Sequence, residues 1–265
     1  MTQTVLPSHI KRVNRVDVEE ILAEGAGKTF GDRFRTYREN YHRTLEYEKT
    51  DYLPDFPVTV GLELLNRCNL ECIMCHTSHR AGPKVVVSEE TIERILAECE
   101  QRQLSAIMFG MGEEPLLYKN IGEVIDKAKT AGIMDIFLFT NGTLLTEERC
   151  RQIVEQQVTR VMVSVDAAET RTYDKIRVRN GKMQPIGVDR LEELENNIKR
   201  LIRIRDEMGS ILPVVRVSFV VQPLNVGEVD AFTEKWKDVV DFIDFQECAN
   251  HGMIDILAKL SEEER

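Results

Sequence analysis

The sequence predicts an α/β fold in which six parallel strands, each followed by a helix, form a partial (β/α)6 barrel with an N-terminal helical extension. Three observations lead to this prediction. From residue 58 onward, short apolar runs rich in Val, Ile and Phe alternate with longer amphipathic segments. Residues typical of helix caps flank those segments, and 265 residues suffice for one large domain. Strands joined by crossover helices run parallel, and the helices cover the sheet.

The composition is that of an ordinary globular protein, with 42% hydrophobic and 30% charged residues. The 35 Lys and Arg residues against 45 Asp and Glu residues give a net charge of -10, which disfavours general nucleic-acid binding. No apolar run approaches the ~18 residues that span a bilayer. Residues 1–10 lack a basic start followed by an apolar core, so we expect no secretory signal and a cytoplasmic protein.

Residues 1–57 are predicted to form the N-terminal extension and its connector. Phe34, Tyr37, Tyr41 and Leu45 recur at spacings of three and four, which places them on one face of a helix over 33–49. We expect this face to pack against the main domain. Two prolines then indicate an extended connector over 51–57.

The main domain is predicted to span 58–248 and to be followed by a C-terminal tail, 249–265. The predicted strands cover 58–65, 105–109, 134–139, 160–165, 214–221 and 242–246. The predicted helices cover 89–103, 120–131, 147–157, 190–208 and 226–239. Ser88 and Thr146 stand at N-cap positions, and Gly132 and Gly209 stand where helices end. Parallel sheets present their sites at the carboxyl ends of the strands, so the loops there are the candidates.

The loop after the first predicted strand contains Cys68, Cys72 and Cys75 within eight positions. In a reducing compartment, such a cluster indicates a metal centre. One reading is a structural zinc site of three cysteines completed by His76 or His79. The other is a four-iron cluster with three cysteine ligands, which leaves one iron open for chemistry.

The CxxxCxxC spacing after the first strand of a six-strand α/β pattern resembles the radical S-adenosylmethionine (SAM) superfamily. Later strand ends carry similar motifs. They are Gly-Met-Gly-Glu-Glu-Pro at 110–115, Thr-Asn-Gly at 140–142, Ser-Val-Asp at 164–166, and Tyr-Asp-Lys-Ile-Arg at 173–177. The resemblance covers about 58–248 and implies a partial TIM-like barrel. It also implies that the three thiolates hold a 4Fe-4S cluster whose fourth iron binds SAM, and that reductive cleavage of SAM yields a 5'-deoxyadenosyl radical for hydrogen abstraction.

The resemblance implies that Glu114 binds the SAM ammonium group and that Gly112 lets the backbone approach closely. Glu113 departs from the family pattern, which has a second glycine there. A shift of one residue would assign the ammonium contact to Glu113 instead.

The remaining SAM contacts implied by the resemblance lie on later loops and beside the last cysteine. Ser164 and Arg177 match the carboxylate-binding positions, and Asn141 or Asp166 match the ribose-binding ones. Met74 stands where relatives carry an aromatic residue whose backbone contacts adenine, so the expected contact is through its backbone.

Three further cysteines lie outside the motif. Cys99 and Cys150 fall in predicted helices and are expected to be small buried hydrophobes. Cys248 follows the sixth strand, near the point where SPASM and twitch relatives begin an extension with auxiliary clusters. The resemblance to that branch implies a peptide, protein or sugar-type substrate and a reductant such as flavodoxin or ferredoxin. The alternatives are a zinc-stabilised binding module and a simple electron carrier.

Overall fold

The computed structural model describes residues 12–75, 83–178 and 189–248. These residues form one seven-stranded sheet. Its strands are β1 (Arg12–Asn14), β2 (Thr59–Gly61), β3 (Ala106–Phe109), β4 (Asp135–Thr140), β5 (Arg160–Ser164), β6 (Val214–Val221) and β7 (Phe242–Glu247). The order across the sheet is β1-β7-β6-β5-β4-β3-β2. Strands β2 to β7 are parallel neighbours in chain order, as predicted.

The α-helices of the described residues either lie between β1 and β2, in the N-terminal extension, or connect the parallel strands. They are α1 (Val18–Leu22), α2 (Lys28–Phe30), α3 (Asp32–Leu45), α4 (Tyr47–Thr50), α5 (Glu89–Gln101), α6 (Ile121–Thr130), α7 (Glu147–Glu155), α8 (Thr170–Ile176), α9 (Arg190–Glu207) and α10 (Val229–Trp236). The predicted N-caps are confirmed, since Ser88 accepts from the Thr91 amide at 3.2 Å and Thr146 from the Arg149 amide at 3.3 Å. None of these helices is long and apolar enough to cross a membrane.

The main hydrophobic core lies between the sheet and the connecting helices. Alternate residues of the strands, such as Ile107, Leu138 and Val161, pack with residues of α5, α6, α7, α9 and α10. The intervening strand residues, such as Phe137 and Arg160, are only partly buried and lie on the opposite face, called here the inner face. Any ligand pocket of the sheet is therefore formed by its inner face and by the loops at the carboxyl ends of its strands.

The first predicted strand is shorter in the structure than in the sequence pattern, with three residues in place of eight. After Gly61, the Leu62 amide still bonds to the Met108 carbonyl at 2.8 Å. The chain then leaves the ladder, and the Leu64 amide bonds to the Glu113 side chain. Leu62, Leu64 and Leu65 nevertheless remain buried, so the start of the cysteine loop is anchored in the core.

Strand β1 was not predicted. Its three residues pair antiparallel with β7 and add an edge strand to the parallel sheet, with Val13 opposite Ile243. Three residues are too few for a periodic pattern to be recognised, and the pairing depends on an edge more than 220 residues away in sequence.

The N-terminal extension packs against the amino ends of the strands. Its predicted helix over 33–49 is divided into α3 and α4. Phe34 and Tyr37 are buried against Met134 and Val214, which confirms the predicted packing face. Leu45 is an exception, since it is 67% exposed.

Candidate active site at the carboxyl ends of the strands

The cysteine loop lies between β2 and α5 and is held from two sides. Within the loop, the Cys75 amide donates to the Cys72 carbonyl at 3.0 Å. The Ile73 amide donates to the Ile176 carbonyl at 3.1 Å, at the end of α8. The Glu71 amide donates to the Val178 carbonyl at 2.7 Å. These backbone bonds connect the loop to the segment that follows β5, so residues far apart in the sequence form one site.

All three thiols of the loop border the same cleft, which has a volume of about 210 Å³. Cys72 is buried and the other two are partly buried. Burial raises the pKa of Cys68 to about 11, and it also raises the pKa of Cys72. Without metal, the Cys68 and Cys72 thiols therefore hold their protons at neutral pH. Metal binding has to release those protons, since the thiolate is the ligand.

A zinc ion and a 4Fe-4S cluster require different spacings of the cysteine sulfurs. Within the described residues, no three His, Cys, Asp or Glu side chains converge closely enough to bind one metal ion. Tetrahedral zinc with Zn–S bonds of ~2.3 Å places its sulfurs only ~3.8 Å apart. In a 4Fe-4S cluster, each cysteine binds a different iron, so the sulfurs are farther apart. His76 and His79, the fourth ligands of the zinc alternative, lie outside the described residues.

The cleft brings together nine of the ten residues that the sequence motifs predicted. They are Cys68, Cys72, Met74, Cys75, Gly112, Glu114, Asn141, Ser164 and Arg177. Asp166 is fully buried and does not border the cleft. Five further residues border the cleft without a role predicted from the sequence motifs: Leu70, Gly110, Met111, Phe139 and Thr140. Met111 and Thr140 lie within the motifs at 110–115 and 140–142, and Phe139 directly precedes the second of these motifs. Proximity to a motif was therefore the sequence signal that could have identified them.

Glu114 is the most deeply buried carboxyl group of the cleft. Its Oε1 accepts from the Thr140 hydroxyl at 2.7 Å and from the Leu116 amide at 3.2 Å. Its Oε2 accepts from the Asn141 amide at 2.7 Å. Burial raises its pKa to about 7, against the lowering effect of these donors. Glu114 therefore ties the loop after β3 to the loop after β4, with its acceptor groups in the cleft wall.

Glu113 points a second carboxyl group into the same region. Its Oε1 accepts from the Leu64 amide at 3.2 Å. Its Oε2 is buried and makes no hydrogen bond of good geometry among the described residues, although the Gly110 and Gly112 amides lie near the carboxylate and lower its pKa. An unpartnered buried carboxylate oxygen is costly unless a donor reaches it. The ammonium group of an amino acid is a suitable donor for such an oxygen.

The raised pKa of Glu113 predicts a specific pH dependence of stability. Burial raises this pKa from 4.5 to about 7. Above pH 4.5 the unfolded chain loses the proton that the folded chain keeps, so folding is progressively destabilised up to pH ~7. We expect Glu113→Gln to gain about 2 kcal/mol relative to wild type between pH 5 and pH 8.

The measurement is urea unfolding of the metal-free protein at both pH values. Glu155→Gln, on the exposed side of α7, is the matched control and should track wild type. A Glu113→Gln difference that does not change between pH 5 and pH 8 would contradict the assignment.

Arg177 connects the cysteine loop to the end of β5. Its guanidinium is buried, donates from Nη1 to the Cys72 sulfur at 3.4 Å, and forms an ion pair with Asp166. Asp166 also accepts from the Val220 amide at 2.8 Å. The Nε of Arg177 has no partner among the described residues. Asp166 therefore orients the guanidinium, and the guanidinium places positive charge beside a thiol.

Asn141 and Ser164 provide neutral polar groups at the ends of β4 and β5. The Asn141 side-chain amide donates to Asn69 at 2.8 Å and lies 3.5 Å from the Cys68 sulfur. Ser164 is partly buried and accepts from the Ser218 hydroxyl at 3.5 Å. Both side chains border the cleft, so it offers neutral hydrogen-bonding groups in addition to its acids.

The cleft fits an iron-sulfur cluster together with an amino-acid-like ligand. Three thiols along one cleft suit a cluster, the Glu113 oxygen without a partner among the described residues suits an ammonium group, and buried Arg177 suits a carboxylate.

Comparison with known protein families gives one matching family model, described as the radical SAM superfamily, over residues 62–215. The chain is 28% identical over 196 residues to a probable GTP 3',8-cyclase of Methanocaldococcus jannaschii. This match covers 71% of the chain and 60% of that protein. The chain is also 28% identical over 169 residues to a tungsten-containing aldehyde ferredoxin oxidoreductase cofactor-modifying protein of Pyrococcus furiosus. That match covers 63% of the chain and 45% of the relative, so the chain matches only part of either protein.

Solved structures with the same fold include anSMEcpe with bound AdoMet, at a TM-score of 0.58 and 18% identity. The match covers 73% of this chain and 52% of that one. SuiB of Streptococcus suis, bound to S-adenosylmethionine, matches with a TM-score of 0.54 and 15% identity, over 78% of this chain and 44% of SuiB. At these identities the likeness concerns the fold, and it confirms the predicted partial barrel.

Proposed function

The chain belongs to the radical SAM superfamily, and on that premise we propose that it cleaves SAM reductively and uses the resulting radical to abstract hydrogen from a substrate. Its cofactors are a 4Fe-4S cluster and SAM. The observation that carries the proposal is the cleft, in which three thiols, two acidic side chains and a buried arginine meet at the carboxyl ends of the strands. When bound, the cluster supplies the electron that cleaves SAM to methionine and a 5'-deoxyadenosyl radical.

We propose that Cys68, Cys72 and Cys75 each bind one iron as thiolates. The position of all three thiols along one cleft supports this arrangement. Arg177 donates to Cys72, which lowers the electron density on that sulfur, and Asn141 lies beside Cys68. Hydrogen bonds to ligand sulfurs tune the potential of such clusters.

The SAM amino group is proposed to bind at the acidic wall of the cleft. Glu114 keeps its assignment from the motif, and its position at the end of β3 supports it. Glu113 adds an oxygen that has no partner within the described parts of the chain. Gly112 leaves room for the ligand beside the backbone, because it carries no side chain.

The other SAM groups are proposed to bind across the cleft. Ser164 and Arg177 receive the carboxylate, Asn141 the ribose, and the Met74 backbone the adenine, since all four residues border the cleft. Asp166, the alternative ribose contact, has its carboxylate engaged by Arg177 and Val220, which supports a positioning role for it.

The substrate and the branch of the superfamily remain proposals. We propose a peptide, protein or sugar-type substrate, as in the SPASM and twitch branch, and an electron donor such as flavodoxin or ferredoxin. The domain division at residues 57 and 248 is likewise proposed. The six cysteines are free thiols in the structure, and a reducing compartment suits them, which supports a cytoplasmic location.

The test is reductive SAM cleavage by anaerobically purified protein with a reconstituted cluster. With dithionite and SAM, we expect 5'-deoxyadenosine and methionine to form in equal amounts, measured by liquid chromatography and mass spectrometry. Protein that holds iron and sulfide but forms no 5'-deoxyadenosine would instead be an electron carrier. Stoichiometric zinc without iron would support the zinc-stabilised binding module.

A further inference from the structure

A second cavity, of about 490 Å³, lies on the inner face of the sheet beneath the cysteine cleft. Phe139 borders both spaces, so a molecule in the cavity lies next to the site of the chemistry. The far end of the cavity is closed by α1 and α3 of the N-terminal extension, which contribute Glu19, Arg38 and Tyr41. The cavity is therefore a chamber between the cleft and the extension.

Aromatic rings form much of the chamber wall. The rings of Phe137 and Phe139 are stacked, with centroids 6.3 Å apart and planes at 4°. Phe242, on β7, borders the chamber from another strand. Such rings bind flat apolar groups by stacking. Stacking contributes binding energy beyond that of the buried apolar area.

Two arginines lie next to each other on this wall. Arg216 of β6 is in register with Met162 of β5, and Arg160 of β5 is in register with Val214. Their Cα atoms are therefore diagonal neighbours on one face, about 8 Å apart from the strand spacing and rise. The guanidinium carbon (Cζ) of Arg160 lies 4.3 Å from the Phe137 ring centroid, and that of Arg216 lies 5.4 Å from the Phe242 ring centroid.

Each arginine is oriented by an acid on the outer side of the pair. The Nη2 of Arg160 donates to Oδ2 of Asp135 at 2.5 Å, and the Nη1 of Arg216 forms an ion pair with Oδ2 of Asp244 at 3.5 Å. Asp135 is fixed in turn, because it accepts from the Tyr37 hydroxyl at 2.6 Å. Across strands β4 to β7, the side chains therefore follow in the order Asp135, Arg160, Arg216 and Asp244, with the two arginines in the middle.

The acids at the chamber floor are also engaged. Glu19 forms an ion pair with Arg38 at 2.5 Å, and Asp17 accepts from the first amides of α1. His42 borders the floor beside Glu19. Arg216 also donates to the Met162 sulfur. Because a guanidinium has five N–H donors, an anion in the chamber can accept from both arginines while each keeps its protein partners.

We propose that this chamber is the substrate pocket of the reaction proposed above, and that it takes a substrate with an anionic group and a flat apolar body, which narrows the substrate classes proposed above to members that carry both. The anion, a carboxylate or phosphate, lies between Arg160 and Arg216, and the apolar body lies along Phe137, Phe139 and Phe242. The inference rests on the proposed function. Arg216 is paired with Met162, which lies two residues before Ser164 on β5. The anion therefore lies roughly 7 Å or more from Ser164 at the edge of the cleft.

The competing explanation is that the arginines serve only as a ladder of ion pairs that stabilises the barrel. The test is calorimetric binding of small probes to the full chain with its cluster. Phenyl phosphate and benzoate should bind saturably, whereas benzylamine should not bind. The preference between the two anions identifies the type of anionic group.

Arg216→Gln should weaken binding of the preferred anion about tenfold or more, because charge-assisted hydrogen bonds are lost. Arg160→Lys, which keeps the charge and the fold but not the planar fork, should also weaken it. Arg151→Gln, on the exposed side of α7, is the control and should bind like wild type. Iron content and circular dichroism verify folding of each variant.

Failure of probe binding in wild type, or equal binding in all variants, would overturn the inference. The result is independent of SAM cleavage, which is measured without any probe. Cleavage without probe binding refutes the pocket alone. Arginine-dependent probe binding without cleavage refutes the proposed function, and with it the substrate role of the chamber.

Discussion

Cys72→Ala protein is expected to hold almost no iron after anaerobic reconstitution, and its rate of SAM cleavage should fall at least about 100-fold. Cys72 is the most buried thiol of the loop and the one that accepts a hydrogen bond from Arg177. Removing it leaves the buried Arg177–Asp166 pair without the sulfur and leaves one corner of the cluster without a ligand. Iron and sulfide analysis and 5'-deoxyadenosine formation measure the two effects.

Two other buried cysteines provide matched controls. Cys99 lies on α5 and Cys150 on α7, both in the main core and away from the cleft. Their alanine variants should lose only about 1 kcal/mol of stability and should keep the cluster and the cleavage activity. If Cys72→Ala keeps its iron, or if Cys99→Ala loses it equally, the proposed ligand set is wrong.

Gly110→Ala is expected to destabilise the folded protein by about 3 kcal/mol or more. Gly110 ends β3 with φ +89°, in a region that residues with a side chain rarely adopt. A Cβ atom built there would lie 2.1 Å from the Phe139 carbonyl oxygen. That oxygen belongs to the backbone of β4, so the clash cannot be relieved by a side-chain rotation, and the strain adds to the unfavourable φ.

The measurement is urea unfolding of the metal-free variant. Gly227→Ala is the control, since a Cβ atom there meets nothing within 4 Å. It should remain within about 0.5 kcal/mol of wild type. A Gly110→Ala protein as stable as the control would show that β3 and β4 are not packed as closely as described. Because Gly110 borders the cleft, the variant should also bind iron less completely.

The parallel strands and their connecting helices could be predicted because their signals are local. Ser88 and Thr146 cap helices within four residues of themselves, and alternating apolar residues mark the strands. The cysteine motif is likewise local, and the strand ends that complete the site follow from parallel topology. For that reason, nine of the ten predicted site residues meet in one cleft.

Features that depend on distant partners could not be predicted. Strand β1 exists because it pairs with β7, and Asp135 is buried because Tyr37, Thr159 and Arg160 all donate to it. Asp166 has the motif position of a ligand contact, yet its carboxylate is taken by Arg177.

The two acidic residues of the cleft show the same limit. The sequence marks Glu113 as a departure from the family pattern but does not reveal that one of its oxygens is buried without a partner in the described structure. Glu114 matches the motif, yet its bonds to Thr140 and Asn141 depend on the packing of two loops.

The proposed activity requires that three thiolates hold a four-iron cluster and leave one iron to bind SAM. This arrangement can be tested by Mössbauer spectroscopy of protein reconstituted with ⁵⁷Fe, recorded with and without SAM. We expect four irons per chain, with one iron site shifting when SAM is added and three remaining unchanged. Four irons that respond identically or not at all to SAM, or a folded protein that takes up no iron, would contradict it.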